Sequence, residues 1–147
     1  MYPDPEVASL VTATFVPVKI HIKEQPQTFK RFGAEWTPTI LTWDPVSNAE
    51  RHRIEGFLPK EEFLPQLMIG GGQFAYGRQQ WEDAERLFRE AAERFPKSDA
   101  AAEAIYWAGV ARYKRTGDAS ALHETGTILR ERYPQSVWAK KGSVWVG

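Results

Sequence analysis

Apolar and polar positions along this chain follow one kind of period up to about residue 58 and another from about Phe63 onward. After Asp4-Pro5-Glu6, the residues Val7, Ala8, Leu10 and Val11 form one apolar face. With Asp at the N-cap and Pro at the first helical position, this predicts a capped helix. Phe15 to Ile22 alternates, with Val16, Val18, Ile20 and Ile22 on one face and Pro17, Lys19 and His21 on the other. That period of two predicts a strand. Pro17 has no amide donor, so its position should point away from a paired neighbour. Gln25 to Phe32 reads as a short helix stopped by Gly33, and Thr39 to Trp43 as a second strand. Asp44-Pro45-Val46-Ser47-Asn48 is turn chemistry, with Asn48 suited to a left-handed backbone. Arg51 to Phe57 returns as a strand to close a hairpin, and Leu58-Pro59-Lys60-Glu61-Glu62-Phe63 opens the next helix.

From about Phe63 the period is helical. Trp81, Ala84, Leu87, Phe88, Ala91 and Phe95 make one stripe, and Glu82, Glu85, Arg86, Arg89 and Glu93 fill the opposite side. A second helix is predicted from Asp99 to Lys114, ended by Gly117 and followed by Asp118 as an N-cap, and a third runs to Tyr133. Glu93-Arg94-Phe95-Pro96-Lys97-Ser98 recurs as Glu131-Arg132-Tyr133-Pro134-Gln135-Ser136, an offset of 38. At the same offset Ala101 matches Ala139, Trp107 matches Trp145 and Gly109 matches Gly147, so the second half reads as a helical-hairpin repeat. The expectation is an α+β chain: a mixed unit over residues 1–70 and an all-helical repeat over 71–147. The change of class is placed near residues 65–72. Gly70-Gly71-Gly72 reads as the joint, and a helix running through it is the other reading.

Composition narrows the chemistry. Of 147 residues, 42% are apolar and 13% aromatic, ample for a packed core, and no apolar run reaches the roughly 18 residues of a membrane span. The start lacks the basic-then-apolar pattern of a signal peptide, so the expected location is cytoplasmic. Lys plus Arg and Asp plus Glu number 19 each, which argues against nucleic acid or an anionic membrane as the main partner. The chain has no cysteine, so no disulfide, thiolate ligand or thiol nucleophile belongs to it. His21, His52 and His123 are scattered without metal-ligand spacing, so no metal or cofactor is expected and each reads as structural. Glu61-Glu62 and Glu82-Asp83-Glu85 read as solvated helix faces. The glycine triplet is not followed by the Gly-Lys-Ser/Thr of a phosphate loop.

Two resemblances add to this. The spacing Ala84, Phe88, Ala91, Pro96 is similar to the second helix and closing proline of a tetratricopeptide repeat. Gly109 and Gly117 resemble the small residues of a following repeat. This match covers residues 66–147, and its longer period resembles variants in bacterial envelope-assembly repeat proteins. Gly126 departs from it, standing where a bulky residue is usual. The second resemblance lies in Trp36-Thr37-Pro38-Thr39, which looks like the cis-proline loop of thioredoxin-like domains. The order of elements over residues 2–70 is similar to that family, and Tyr2-Pro3-Asp4-Pro5-Glu6-Val7 resembles the segment just after its Cys-x-x-Cys. The resemblance implies a cis Thr37–Pro38 bond. It also implies a central strand and a Cys-x-x-Cys ahead of the first helix, neither of which this sequence contains. The expectation is a thioredoxin-like domain truncated at its N-terminus. A gap would then lie between the strands at 16–22 and 39–43, closed by direct pairing, by a partner's strand or by an upstream segment.

Two functions follow. In the first, the chain is a redox-inactive scaffold. The resemblance implies that the Thr37 backbone pairs with an extended peptide, with Trp36 and Pro38 lining the place. On the repeat, Ala102, Tyr106 and Arg112 are the candidate binding face. The partner is a protein or extended peptide, and self-association through exposed strand edges is a further expected contact. In the second, the chain is a fragment of a thiol–disulfide oxidoreductase whose Cys-x-x-Cys lies upstream of Met1, since thiol exchange needs that pair. A third reading, a structural repeat adaptor of the cell envelope, requires an exported full-length form.

Overall fold

The structure is a computed structural model that describes residues 4–147. Tyr2 and Pro3 of the phrase quoted above lie outside the described residues. The chain is mixed α+β. Its elements are α1 (Pro5–Thr14), α2 (Pro26–Arg31), β1 (Thr39–Asp44), β2 (Ala49–Glu55), α3 (Lys60–Gly77), α4 (Trp81–Arg94), α5 (Ala100–Thr116), α6 (Ser120–Arg132) and α7 (Val137–Gly142), with a 3-10 turn over Ser143–Trp145. Asp4 caps α1 as the sequence predicts, its carboxylate accepting from the amides of Glu6 (2.9 Å) and Val7 (3.4 Å). The strands pair antiparallel, Thr39 opposite Glu55 and Asp44 opposite Ala49, and the turn between them holds Asn48 at φ 55°.

One predicted strand is absent. Residues 15–20 carry no regular secondary structure and join no ladder, and Val16 and Val18 are 91% and 79% exposed. A period of two marks which side chains share a face. It does not supply a neighbouring strand, and among the described residues the sheet has only β1 and β2, paired with each other. Pro17 also withholds a donor in the middle of the segment. Phe15 at its start packs inward, beside Val7, Val11 and Ile54, and Ile20 is half-buried.

The glycine triplet is no break in the chain, since α3 runs through it from Lys60 to Gly77. The first half of α3 places Phe63, Leu64 and Leu67 in a core with α1 and β2. The second half places Met68, Ile69 and Ala75 in a core with α4 and α5. The three glycines face three neighbours. A Cβ at Gly70 would fall 2.5 Å from Thr42 Oγ1 of β1, one at Gly71 3.3 Å from Thr14 and 3.5 Å from Leu87, and one at Gly72 2.5 Å from the Phe88 ring. A helix surrounded this closely needs small residues where its neighbours approach, at a cost in helix propensity of about 1 kcal/mol per glycine.

Helices only follow α3, and they obey the offset of 38. Moving α3 by 38 residues lands on α5, α4 lands on α6, and the start of α5 lands on α7. The turns repeat in detail: Ser98 Oγ donates to the Phe95 carbonyl at 2.7 Å and Ser136 Oγ to the Tyr133 carbonyl at 2.8 Å. So do the contacts between helices. Gly71 lies against Leu87, and 38 residues later Gly109 lies against Thr125. Gly126 is small because a Cβ there would sit 2.8 Å from the Gly142 carbonyl and 2.9 Å from Val146, where α7 and the 3-10 turn cross α6.

Candidate functional site

The loop from Gly33 to Pro38 is held at both ends by groups on the hairpin. Its start is the exposed C-terminal end of α2, whose last carbonyls have no partner within the helix. Arg53 of β2 supplies one, donating to the Phe32 carbonyl at 2.6 Å and the Gly33 carbonyl at 3.3 Å. Glu50 (2.6 Å) and Glu55 (3.1 Å) flank the same guanidinium and, with Glu50 foremost, raise its already high pKa. Phe32 meets Trp43 of β1 edge to face at 5.0 Å. At the other end Gly56 donates its amide to the Pro38 carbonyl at 2.7 Å, and Thr39 Oγ1 donates to the Trp36 carbonyl at 2.5 Å. The Thr37–Pro38 peptide is cis, as the resemblance implied.

Between these fixed ends Trp36 projects outward, 65% exposed, with its indole over the backbone of Gly56. Trp36 and Thr37 line a shallow depression of about 200 Å³ with Ile22, Phe29 and Glu35. Phe57, Val16 and Val18 are exposed on the same half of the chain. No strand covers the outer edge of β1 among the described residues, and such an edge presents unpaired amides and carbonyls. The three residues expected at a peptide site are therefore together, at the surface, beside an open strand edge.

The hairpin's far end is pinned to α3. Asp44 is 1% exposed and accepts from Arg78, Nη2 to Oδ1 at 2.9 Å and Nε to Oδ2 at 3.2 Å, with Arg51 at 3.6 Å. Its Oδ1 also accepts from the turn amides of Val46 (3.0 Å) and Ser47 (3.4 Å). The Arg78 guanidinium and these donors hold the Asp44 carboxyl well below the usual carboxylate range. From sequence Asp44 reads as a turn former. Its role as anchor depends on Arg78, 34 residues away, which no local pattern announces. Arg53 escapes notice for the same reason.

Of the repeat-face residues, Ala102 and Tyr106 pack into one cluster rather than onto an open face. Ala102 is 3% exposed and packs with Leu129 and Ala139, so it has no surface to offer. Arg112 is paired with Glu124 of α6 at 3.1 Å. Tyr106 is half-buried in a run of rings, stacked on Trp145 at 4.8 Å, tilted against Trp138 at 5.1 Å and edge-on to Trp107 at 5.5 Å. Trp107 continues the run to Tyr76 at 5.5 Å, and Tyr76 to Trp81 at 5.0 Å. These rings join α3, α4, α5 and α7 to one another. A polar group lies where β2 and α5 meet α3: His52 Nε2 and Gln66 Oε1 are 2.8 Å apart. Burial pushes the neighbouring Glu103 carboxyl up, against the opposing pull of His52, Gln66 and Lys141.

Among the described residues no group of three or more His, Asp or Glu is placed to hold a metal, and no helix is long and apolar enough to cross a membrane. No protein-family model matches the chain, and no curated protein or solved structure matches it.

Proposed function

We propose that this chain is a protein- or peptide-binding scaffold, in which a cysteine-free thioredoxin-like module presents the Trp36–Pro38 loop and a tetratricopeptide-like helical repeat supports it. The observation that carries the reading is the exposed Trp36 indole and its adjoining depression beside the uncovered edge of β1. An extended peptide laid along that edge would gain main-chain hydrogen bonds from the strand and set one apolar side chain against Trp36. The indole gives a large, rigid contact at small entropic cost, the kind of residue that dominates interface energetics. Arg53 and Phe32 fix the loop beforehand, so little ordering is left for the moment of binding.

The test is a selection of short peptides from a random library on the folded chain, followed by amide chemical-shift mapping. Shifts centred on residues 36–43, and loss of most of the affinity in Trp36→Ala, are the expected outcome. Selected peptides that leave residues 36–43 unmoved would contradict the proposal. The chain itself should give no turnover in an insulin reduction assay, because disulfide exchange begins with attack by a thiolate. Turnover above a buffer blank would contradict the scaffold reading.

A further inference from the structure

We propose that the ligand side chain seated against Trp36 is a basic one, a lysine or arginine whose stem lies on the indole and whose charged head pairs with Glu35. This rests on the peptide-binding reading of the Trp36 loop and names the residue class that the loop selects. The depression beside the indole holds about 200 Å³. Small-molecule sites run to roughly 300–1,000 Å³, so this one suits a single side chain. Its lining is Ile22, Phe29, Trp36 and Thr37 with one charged group, Glu35. Glu50 and Glu55 are both engaged by Arg53. Glu35 is exposed and has no ion pair or side-chain hydrogen bond among the described residues. The cations nearest to it in sequence, Lys30 and Arg31 of α2, do not pair with it, and Arg31 lies over the Phe32 ring at 5.5 Å. On the hairpin side, Glu55 stands opposite Thr39 and next to Gly56, over whose backbone the indole lies. Three carboxylates and one guanidinium thus border the loop.

Charge decides among side chains. A wholly apolar one closing the depression strips water from the Glu35 carboxylate and supplies no partner in return. An acidic one meets a like charge at the same place. A basic side chain covers the rings with its methylenes and leaves its head at the carboxylate. A cation over an aromatic face also gains from the ring's own charge distribution, and tryptophan is the best ring for this. The loop is held before binding. Thr39 Oγ1 donates to the Trp36 carbonyl, and the Ala34 amide donates to the Phe29 carbonyl at 3.3 Å, which ties the loop to α2.

The probe is a random library of short peptides, selected in parallel on the folded chain and on Glu35→Gln. Among peptides that shift the amides of residues 35–37, one position should be lysine or arginine in most of those selected on the chain, and that bias should vanish on Glu35→Gln. Norleucine at that position keeps the stem and drops the charge. It should weaken a synthetic peptide roughly tenfold or more on the chain and less than about twofold on Glu35→Gln. Glu35→Lys should turn the bias toward aspartate or glutamate. Glu35 is exposed, so both variants keep the fold, which circular dichroism checks. Peptides that map to residues 35–43 without a basic bias, or that lose as little to norleucine on the chain as on Glu35→Gln, overturn this inference and leave the peptide site standing. If no selected peptide maps there, the peptide-binding reading fails and this inference fails with it.

Discussion

Gly72 is where a single atom decides between two accounts of this chain. In a flexible joint, Gly→Ala removes freedom from the unfolded state and stabilises by about 0.4–1 kcal/mol. In a packed helix the added methyl meets the Phe88 ring, which is fully buried and has nowhere to go. Overpacking of that kind costs about 1–3 kcal/mol, against a propensity gain near 1 kcal/mol. Gly72→Ala should therefore lower the urea midpoint, and a raised midpoint would favour the joint. Phe88→Ala, which empties the same place from the other side, should cost about 3–5 kcal/mol in the same measurement. Asp44 gives a prediction in pH. Its carboxyl lies below the ordinary value of 3.8 in the folded chain, chiefly through Arg78, so the unfolded chain takes up the proton first. The stability it contributes is present above that value and is lost as pH falls through the folded one. Asp44→Asn should be less stable at neutral pH and should show a flatter acid limb in its thermal midpoint. The limb should persist in part, because Asp4, Glu85 and Asp118 are lowered as well.

At the scale of elements, periodicity carried the prediction wherever an element is stabilised by its own pattern. The Asp4 cap, the Asp44–Asn48 turn and the α4 stripe from Ala84 to Ala91 were all legible because their determinants lie within a few residues of each other. The 38-residue offset was legible because it copies whole turns; α5 and α6 stand where helices were predicted, and α7, which was not predicted, stands where the offset repeats the start of α5. The outcome at residues 15–22 was not legible, since a strand is completed by another strand and alternation says nothing about one. The site divides in the same way. Trp36, Thr37 and Pro38 adjoin in sequence and adjoin in space. Ala102, Tyr106 and Arg112 were assigned to a concave repeat face through the tetratricopeptide resemblance, yet which face of α5 meets α6 and α7 is set by packing partners such as Leu129 and Ala139. Arg53 is the element-level support of the loop, holding α2 to β2. Arg53→Ala should loosen residues 33–38, raise their amide exchange and weaken peptide binding while leaving the helical far-ultraviolet signal unchanged. Unchanged exchange across 33–38 would remove Arg53 from that role.

For the whole molecule, α3 is the member that both cores share. Its first half closes the α1 and hairpin side with Phe63, Leu64 and Leu67, and its second half closes the α4 and α5 side with Met68, Ile69 and Ala75. Ion pairs reinforce the same join: Lys60 bonds Asp4 at 3.1 Å and Glu6 at 2.8 Å, and Arg94 of α4 reaches Glu6 at 3.1 Å. The Trp36 indole stands exposed beside the hairpin that packs on the first half of this spine. Presenting the proposed Trp36 site on a fixed support needs the spine to be stiff. Native-state hydrogen exchange at the amides of Gly70, Gly71 and Gly72 tests that requirement most directly. A continuous buried helix predicts that these amides exchange among the slowest in the chain, far more slowly than those of residues 15–22. Fast exchange at the three glycines, with slow exchange in α4 and α5, would show a hinge between two independent halves and contradict the account.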